Sequence, residues 1–190
     1  MLIRYRTIRL EQKDAIGYLI LNRPARLNAF NLEMIEEIRS ALGSIDRNED
    51  LRVLIITGAG QAFQAGADIS MLSKMEPEDI SRFYRNLEDI YSAIERLRMP
   101  VIAAINAHAM GSGLELALAC TLRVIARSAC VGLPEVKMGF IPGTGGLERL
   151  PRIIGNGRAA ELVITGDTID ADRAFTMGLV NRVAADDEVD

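Results

Sequence analysis

The spacing of apolar residues along the chain predicts strands near its beginning and short buried strands further on. Residues 2–10 alternate between apolar and polar side chains, and residues 15–21 form a second apolar run, which indicates a hairpin closed at residues 22–24. Later apolar runs bounded by glycine or proline are typical of buried strands. These runs cover residues 53–57, 101–105, 123–126 and 130–132.

Apolar residues that recur every three or four positions predict helices between these strands. Asn31 is placed to cap a helix near residues 32–46, and a longer stripe of helical period follows Pro77 and ends before Pro100. Because strands and helices alternate, the expected fold class is α/β, with parallel strands in a single domain over residues 1–190. Further helices are expected near residues 113–120, 147–153, 157–162 and 170–177, the last with Asp170 as its cap.

The composition is that of a globular protein and argues against several classes of partner. Hydrophobic residues make up 49% of the chain, charged residues 25%, and the formal net charge is −4, so a core can form and nucleic acid is not expected as a partner. The most apolar window, residues 101–120, contains His108 and Glu115 and does not predict a membrane span. No secretory signal is recognised, so a cytoplasmic location is expected, with Cys120 and Cys130 as buried free thiols.

The single histidine limits the possible chemistry. With His108 alone, a zinc site built on several histidines is excluded within this chain, and no metal site is predicted. A Ser-His-Asp triad would have to use His108, for which the alternative is a partly buried histidine that follows a strand. The sequence contains no Walker-type phosphate loop.

Two glutamates lie where burial is expected. Glu115 is the only charged residue of the apolar helix near residues 113–120, and Glu135 follows a proline in a short apolar segment. Carboxylates are rarely buried unless they are paired or used in chemistry, so the two residues suggest an acid/base pair in a dry pocket. The alternative is that an arginine neutralises each carboxylate. The candidates for this role are Arg123, Arg127 and Arg149.

Two turns rich in small residues open helices and offer backbone N–H groups. The first lies within residues 58–69, and the second is formed by Gly111, Ser112 and Gly113. Small residues let a ligand approach the main chain, and a helix start leaves N–H groups unpaired, so together the turns are suited to form an oxyanion hole. The alternative is that both are tight turns required for packing. Asp68 is a candidate acid in the first turn, although capping of the next helix is its expected role.

Four motifs appear in order along the chain. They are Leu-Asn-Arg-Pro at 21–24 with Leu-Asn-Ala at 27–29, Ala-Phe-Gln-Ala-Gly-Ala-Asp at 62–68, Ala-Met-Gly-Ser-Gly-Leu-Glu-Leu-Ala at 109–117, and Pro-Glu at 134–135 with Pro-Gly-Thr-Gly-Gly at 142–146 and Arg-Leu at 149–150. In this combination the chain resembles the crotonase (enoyl-CoA hydratase/isomerase) superfamily over nearly its whole length. The resemblance implies a crotonase-like spiral of repeated ββα units, and the scaffold hosts several chemistries.

The resemblance also implies an enoyl-CoA hydratase-like lyase, which converts a 2-trans-enoyl-CoA thioester to a 3-hydroxyacyl-CoA. The backbone N–H groups of Ala67 and Ser112 would form an oxyanion hole for the thioester oxygen. Glu115 would mainly hold the attacking water, and Glu135 would mainly handle the α-carbon proton. Coenzyme A is part of the substrate, so no separate cofactor is implied. The residues implied in substrate binding are Ala67, Asp68, Ile69, Ser70 and Ser112.

The resemblance further implies acyl-CoA as the partner in β-oxidation of fatty acids, with self-association into a trimer or a dimer of trimers. Arg23 or Arg26 is a candidate for contact with the CoA phosphates, and the alternative for each is a solvated surface arginine. Two other functions remain open. One is double-bond isomerisation or another acyl-CoA reaction of the family, and the other is a non-catalytic acyl-CoA-binding fragment.

The chain departs from the family pattern in two places. Ser112 stands where the family most often has glycine, although a backbone donor does not depend on the side chain. The sequence ends at Asp190, before the C-terminal helical segment with which the family usually continues. We therefore expect a truncated or short member in which that segment is absent.

Overall fold

The computed structural model describes residues 5–189 and consists of two β-sheets and the helices that connect their strands. The strands are β1 (Ile8–Lys13), β2 (Ile16–Leu21), β3 (Val53–Gly58), β4 (Ala62–Gln64), β5 (Val101–Ile105), β6 (His108–Met110), β7 (Leu122–Ala126), β8 (Cys130–Gly132), β9 (Thr168–Asp170) and β10 (Arg182–Ala184). The helices are α1 (Leu32–Asp46), α2 (Ile69–Leu72), α3 (Pro77–Glu95), α4 (Ser112–Leu118), α5 (Gly146–Ile154), α6 (Asn156–Thr165) and α7 (Ala171–Thr176), with 3-10 turns at Pro24–Arg26 and Pro134–Met138.

The two sheets are mostly parallel. The larger has the strand order β1-β2-β3-β5-β7-β10, and the smaller has the order β4-β6-β8-β9. Antiparallel pairing occurs between β1 and β2 and between β8 and β9, whereas the other pairs are parallel. In each sheet the strands follow one another in chain order. The α/β class with parallel strands is therefore confirmed.

The chain repeats one unit, in which a strand of the larger sheet is followed by a strand of the smaller sheet and then by helix. The first unit is β3, β4 and the pair α2 and α3, the second is β5, β6 and α4, and the third is β7, β8 and the segment leading to α5. This is the predicted spiral of ββα units. Its consequence is that β4, β6 and β8 end side by side, where the loops that follow them can meet.

The amphipathic helices form because their apolar residues share one face. In α1 the predicted apolar positions are all buried, and the Asn31 side chain accepts a hydrogen bond from Met34 N at 2.9 Å, as expected of a cap. Full burial of a large aliphatic side chain contributes about 1.5–3 kcal/mol. The stripe of α3 is likewise buried over Phe83, Leu87 and Ile90, so this helix is fixed against the core.

The structure corrects several predicted boundaries. The hairpin of β1 and β2 is confirmed, but its turn lies at Asp14 and Ala15, whereas residues 22–24 lead away from β2. The predicted first strand included residues 2–4, which lie outside the described residues. Helix α3 ends at Glu95, before Pro100 as predicted. The three-residue strands β4, β6, β9 and β10 were not predicted, because so few residues rarely show a recognisable pattern. Strand β8, of the same length, was predicted at residues 130–132.

Candidate active site

One cavity is lined by all four residues to which the sequence assigned the chemistry. It has a volume of about 160 Å³ and is lined by Ala67, Ser112, Glu115 and Glu135, together with Tyr84 of α3. Polar groups from separate elements therefore meet in an apolar cavity, the arrangement typical of a ligand site. The apolar lining includes Ile69, Leu72, Met110, Met138, Phe140 and Ile141.

The first small-residue turn leaves β4 and runs beside Phe30. Phe30 N donates to Gly66 O, and Asp68 N donates to Phe30 O, both at 2.9 Å. Because successive residues of an extended chain direct their N–H groups to opposite sides, Ala67 N–H points away from Phe30. Gly66 has a φ of 94°, a conformation that glycine adopts without steric cost.

Gln64, which the sequence analysis did not assign to the site, fixes this turn from the inside. The residue is fully buried. Its Oε1 accepts from Gly66 N at 2.6 Å and its Nε2 donates to Gly66 O at 2.8 Å. A Cβ on Gly113 would lie 2.4 Å from Gln64 Oε1, so α4 packs directly on the same side chain. The available sequence signal was a lone amide side chain within an apolar run.

The second turn joins β6 to α4 and packs against the first. Gly111 has a φ of 54° and a ψ of −125°. A Cβ on Gly111 would lie 2.9 Å from Glu135 Oε1 and 4.0 Å from Gly66 Cα. Ser112 is the first residue of α4, so its N–H has no carbonyl partner within the helix. The Ser112 carbonyl accepts from the buried Tyr91 hydroxyl at 2.7 Å.

Glu115 is fully buried in α4, and donors from the loop before α5 hold its carboxylate. Oε1 accepts from Thr144 N and from Gly146 N, each at 2.9 Å, and Oε2 accepts from the Thr144 hydroxyl. Burial raises the pKa of Glu115 above its ordinary value, while these hydrogen bonds act in the opposite direction. A Cβ on Gly146 would lie 2.8 Å from Glu115 Oε1, so a larger residue there would displace the carboxylate.

Glu135 lies in the 3-10 turn after β8 and is only partly satisfied. Its Oε2 is buried and has no hydrogen-bond partner among residues 5–189. Burial raises the pKa of Glu135 to about 7, and the negative charge of Glu115 acts in the same direction. A buried oxygen without a partner costs free energy, which a proton or a ligand can offset. The carboxyl of Glu135 is therefore suited to exchange a proton near neutral pH.

Tyr84 adds a phenol to the same cavity. Burial raises the pKa of Tyr84, and the charges of Glu115 and Glu135 raise it further. The phenol therefore stays protonated at neutral pH and can donate a hydrogen bond. Its ring also packs close to Gly143, where a Cβ would lie 3.7 Å from Tyr84 Cδ1.

Comparison with known proteins gives a consistent result. Residues 11–190 match the enoyl-CoA hydratase/isomerase family. The chain belongs to the enoyl-CoA hydratase/isomerase family. It is 40% identical over 186 residues to the crotonyl-CoA hydratase of Syntrophomonas wolfei, a match that covers 97% of this chain and 72% of that relative. The crystal structure of an enoyl-CoA hydratase from Bacillus anthracis matches with a TM-score of 0.95 at 40% identity, covering 97% of this chain and 72% of that one.

A second relative supports the same family assignment. The short-chain-enoyl-CoA hydratase of Clostridium acetobutylicum is 38% identical over 181 residues, covering 95% of this chain and 69% of that relative. The predicted superfamily and the predicted class of enzyme, a hydratase-like lyase, are confirmed.

In this member of the family, arginine does not neutralise the two glutamates. Within residues 5–189 the donors to Glu115 are two backbone amides and a hydroxyl, and Glu135 Oε2 has no partner. The alternative of arginine pairing is therefore wrong for the described residues. The candidate arginines bind elsewhere: Arg123 donates to the carbonyls of Ala117, Cys120 and Leu179, Arg127 pairs with Asp172, and Arg149 pairs with Glu88 and Glu95.

Asp68 lies at the cap position of α2, but its side chain makes no capping hydrogen bond. The carboxylate instead accepts from the Ser70 hydroxyl at 2.6 Å and pairs with Arg23 at 3.2 Å. The expected position at the start of α2 is thus confirmed, but the carboxylate contacts Ser70 and Arg23 and makes no capping hydrogen bond. The hydrogen bond from Ser70, followed by the contacts with Arg23, lowers the pKa of Asp68. Arg26 is exposed, which agrees with the alternative that it is a solvated surface arginine.

The histidine and the cysteines lie outside the cavity lining. His108 follows β5, as expected, and is the first residue of β6, but it is exposed, so the expectation of partial burial is wrong. Its Nδ1 accepts from Cys130 N at 3.1 Å. Cys120 is buried, Cys130 is partly buried, and both thiols are free. Burial raises the pKa of Cys120 to about 12, so this thiol is unreactive at neutral pH.

The described residues contain neither a metal-binding cluster nor a membrane-spanning helix. Between residues 5 and 189 no group of three or more His, Cys, Asp or Glu side chains is arranged to hold a metal ion. In the same part of the chain no helix is both long and apolar enough to cross a membrane.

Proposed function

We propose that this chain hydrates a 2-trans-enoyl-CoA thioester to the 3-hydroxyacyl-CoA. The observation that carries the proposal is that one apolar cavity holds a buried glutamate fixed by three donors and a second glutamate with an unpartnered buried oxygen. Hydration of a conjugated thioester needs two such groups, because one must take a proton from water while the other gives a proton to carbon. The names of the relatives support the same reaction.

The thioester oxygen would be bound by the N–H groups of Ala67 and Ser112. Attack on the β-carbon moves negative charge onto this oxygen, so donors placed there stabilise the enolate more than the substrate. Two features support the assignment. Ala67 N–H points away from Phe30, and Ser112 N–H is at the start of α4, in turns that pack against each other.

The two glutamates would divide the proton transfers. Ionised Glu115 takes a proton from the water as the water oxygen bonds to the β-carbon. Protonated Glu135 then gives its proton to the α-carbon as the enolate collapses. After these two transfers Glu115 is neutral and Glu135 is ionised, so one proton remains on the pair and water is consumed without net proton release. Return of that proton from Glu115 to Glu135 after product release restores the starting state.

The coenzyme A moiety would lie outside the cavity, against the first turn. A cleft of about 510 Å³ is lined by Arg23, Asp68, Ser70 and Lys74, and Ile69 lines the neighbouring cavity. The basic groups suit the phosphates of coenzyme A, although Asp68 already pairs with Arg23. The reaction needs no separate cofactor, because coenzyme A enters with the substrate.

Two wider assignments belong to the same proposal. We assign the reaction to β-oxidation of fatty acids in the cytoplasm, with acyl-CoA as the partner. We also assign self-association into a trimer or a dimer of trimers, because apolar side chains of the α5 and α6 region are exposed, among them Ile164 at 72%.

Double-bond isomerisation is the second candidate, and one contact favours it. Glu115 already accepts three hydrogen bonds, whereas Glu135 Oε2 has no partner between residues 5 and 189. A single carboxyl of this kind can remove a proton from one carbon and return it to another. Product analysis with a 3-enoyl-CoA separates the two reactions, because isomerisation moves the double bond without adding water.

The test is turnover of crotonyl-CoA by the wild type and by Glu115→Gln and Glu135→Gln. Each variant should lose about 10²-fold or more in kcat, as expected of a lost general acid or base, while acyl-CoA binding measured by calorimetry persists. Glu148→Gln, at an exposed glutamate of α5, is the control and should keep full turnover. Near-normal turnover in both site variants would end the hydratase assignment.

A further inference from the structure

Thr144 supplies most of the polar surroundings of Glu115. Both residues are fully buried. Thr144 N donates to Glu115 Oε1 at 2.9 Å, and the Thr144 hydroxyl donates to Oε2. One residue therefore contacts both carboxylate oxygens, and Gly146 N supplies the third donor.

Arg149 holds Thr144 from the far side. Its guanidinium donates to Thr144 O at 3.0 Å and to the carboxylates of Glu88 and Glu95 on α3 at 2.9–3.1 Å. The Arg149 side chain is 9% exposed, so this anchor is largely shielded from solvent. The loop that carries Thr144 is thus fixed to α3 through α5.

The direction of the hydroxyl decides what Thr144 does to Glu115. A hydroxyl that donates to a carboxylate stabilises the ionised form, whereas burial favours the neutral form. The threonine hydroxyl therefore opposes desolvation at the group that needs to be ionised to accept a proton. It also limits rotation of the carboxylate, because Oε1 and Oε2 are bound by the same residue.

We propose that Thr144 is a positioning residue that keeps Glu115 ionised and oriented in the cavity, with Arg149 as its anchor. The role in turnover rests on the proposed hydratase function, whereas the effect on the ionisation of Glu115 does not. Other titratable and charged groups near Glu115 also affect its pKa, so a measured pH dependence contains their contributions. They are Glu88, Tyr84 and Tyr91 on α3, Glu135 on the 3-10 turn, and Arg149 on α5.

The first test compares Thr144→Val, which removes the hydroxyl at nearly constant volume, with Thr144→Ser, which keeps it. In the valine variant the acid limb of kcat/KM should move to higher pH by about one unit, because a lost hydrogen bond to a charged group shifts its pKa upward. The serine variant should restore the wild-type limb. KM should change little, because Thr144 touches Glu115 and not the substrate.

The second test follows Glu115 directly and does not need turnover. The side-chain carboxyl ¹³C resonance of Glu115, identified by its absence from Glu115→Gln, should titrate about one pH unit higher in Thr144→Val than in the wild type. Thr57→Val is the matched control, because it removes a buried hydroxyl that donates to Ala104 O at 3.0 Å and should lower thermal stability without moving this titration.

The outcomes separate the two proposals. A folded Thr144→Val protein with an unshifted Glu115 titration overturns the role of Thr144, whatever the wild type catalyses. If Thr144→Val shifts the Glu115 titration but the wild type does not hydrate crotonyl-CoA, the role of Thr144 is supported and the hydratase function is refuted. If the titration of Glu115 also shifts in Thr57→Val, a general loss of stability of the fold explains the shift, and the proposal for Thr144 is refuted.

Discussion

At the scale of single residues, Glu115 and Glu135 share a cavity but differ in how their charge is stabilised. Glu115 has three donors, whereas Glu135 has a buried oxygen with no partner among the described residues. Like charges in a poorly solvated cavity repel, so a pair that carries one proton is favoured over two carboxylates. That state, an ionised base beside a protonated acid, is the one that the proposed reaction requires.

We expect a bell-shaped pH dependence of kcat/KM whose alkaline limb lies near neutral pH. The pKa of Glu135 is raised to about 7, so this carboxyl carries its proton below that pH and loses it above. The acid limb reflects protonation of Glu115. Because hydration consumes no net proton, the profile should be the same for dehydration of 3-hydroxybutyryl-CoA.

Initial rates in both directions between about pH 5 and pH 9 measure this profile. The residual activity of Glu135→Gln, which has no proton to lose at this position, should lack the alkaline limb. A hydration rate that stays constant well above neutral pH would contradict the assignment of Glu135 as the proton donor.

We expect the backbone of Ser112, and not its hydroxyl, to contribute to turnover. Ser112→Ala and Ser112→Gly should therefore keep most of the activity. Ser112→Pro removes the N–H and should lower the rate by about 10²–10³. Proline is tolerated at the first position of a helix, which is where Ser112 lies in α4. Circular dichroism checks folding, and a folded proline variant with normal turnover would refute the oxyanion role.

The sequence predicted the two glutamates but not the residues that hold them. Glu115 stood out because a lone acid in an apolar helix conflicts with burial. Thr144 and Gln64 carry no such conflict, since a threonine in a loop or a glutamine at the end of a short strand is ordinary. Their role depends on contacts between residues far apart in the chain. The arginine alternative failed because counting charges overlooks backbone N–H groups, which stabilise a buried carboxylate as well.

At the scale of elements, the cap of α1 gives a test of the helix boundaries. Asn31→Ala removes the acceptor for Met34 N and should cost about 1 kcal/mol of unfolding free energy. In a domain of this size that corresponds to a fall in Tm of about 2–4 °C. Asn31→Asp keeps an acceptor and should remain near the wild type in thermal denaturation. An unchanged Tm in the alanine variant would mean that the cap adds nothing.

Element prediction succeeded where the hydrophobic period extends over several turns. Helices α1 and α3 each show such a stripe, and the structure places both within a few residues of the prediction. The short strands β4 and β6 were missed, because three residues cannot display a period of two. They form where the spiral returns to the smaller sheet, a pairing set by the rest of the fold and not by local pattern.

At the scale of the whole molecule, exposed apolar side chains predict self-association. The apolar cleft between α5 and α6 includes Leu147, Val163 and Ile164, and contiguous apolar surface usually marks an interface. Sedimentation velocity at micromolar concentration should therefore detect an oligomer. Ile164→Glu places a charge in this cleft and should shift the distribution toward monomer. A wild type that sediments as a monomer would contradict the prediction.

The strand order of the two sheets has a consequence for how the protein is made. Within each sheet, every strand after the first pairs with one that precedes it in the chain, so its partner has already been synthesised when it leaves the ribosome. The strands can therefore join their sheets in the order in which they are translated. The pocket is an exception to this order, because the donors to Glu115 at Thr144 and Gly146 emerge 29 and 31 residues after it. The buried carboxylate therefore waits without its partners until α5 has been translated, and catalytic competence arrives late in synthesis.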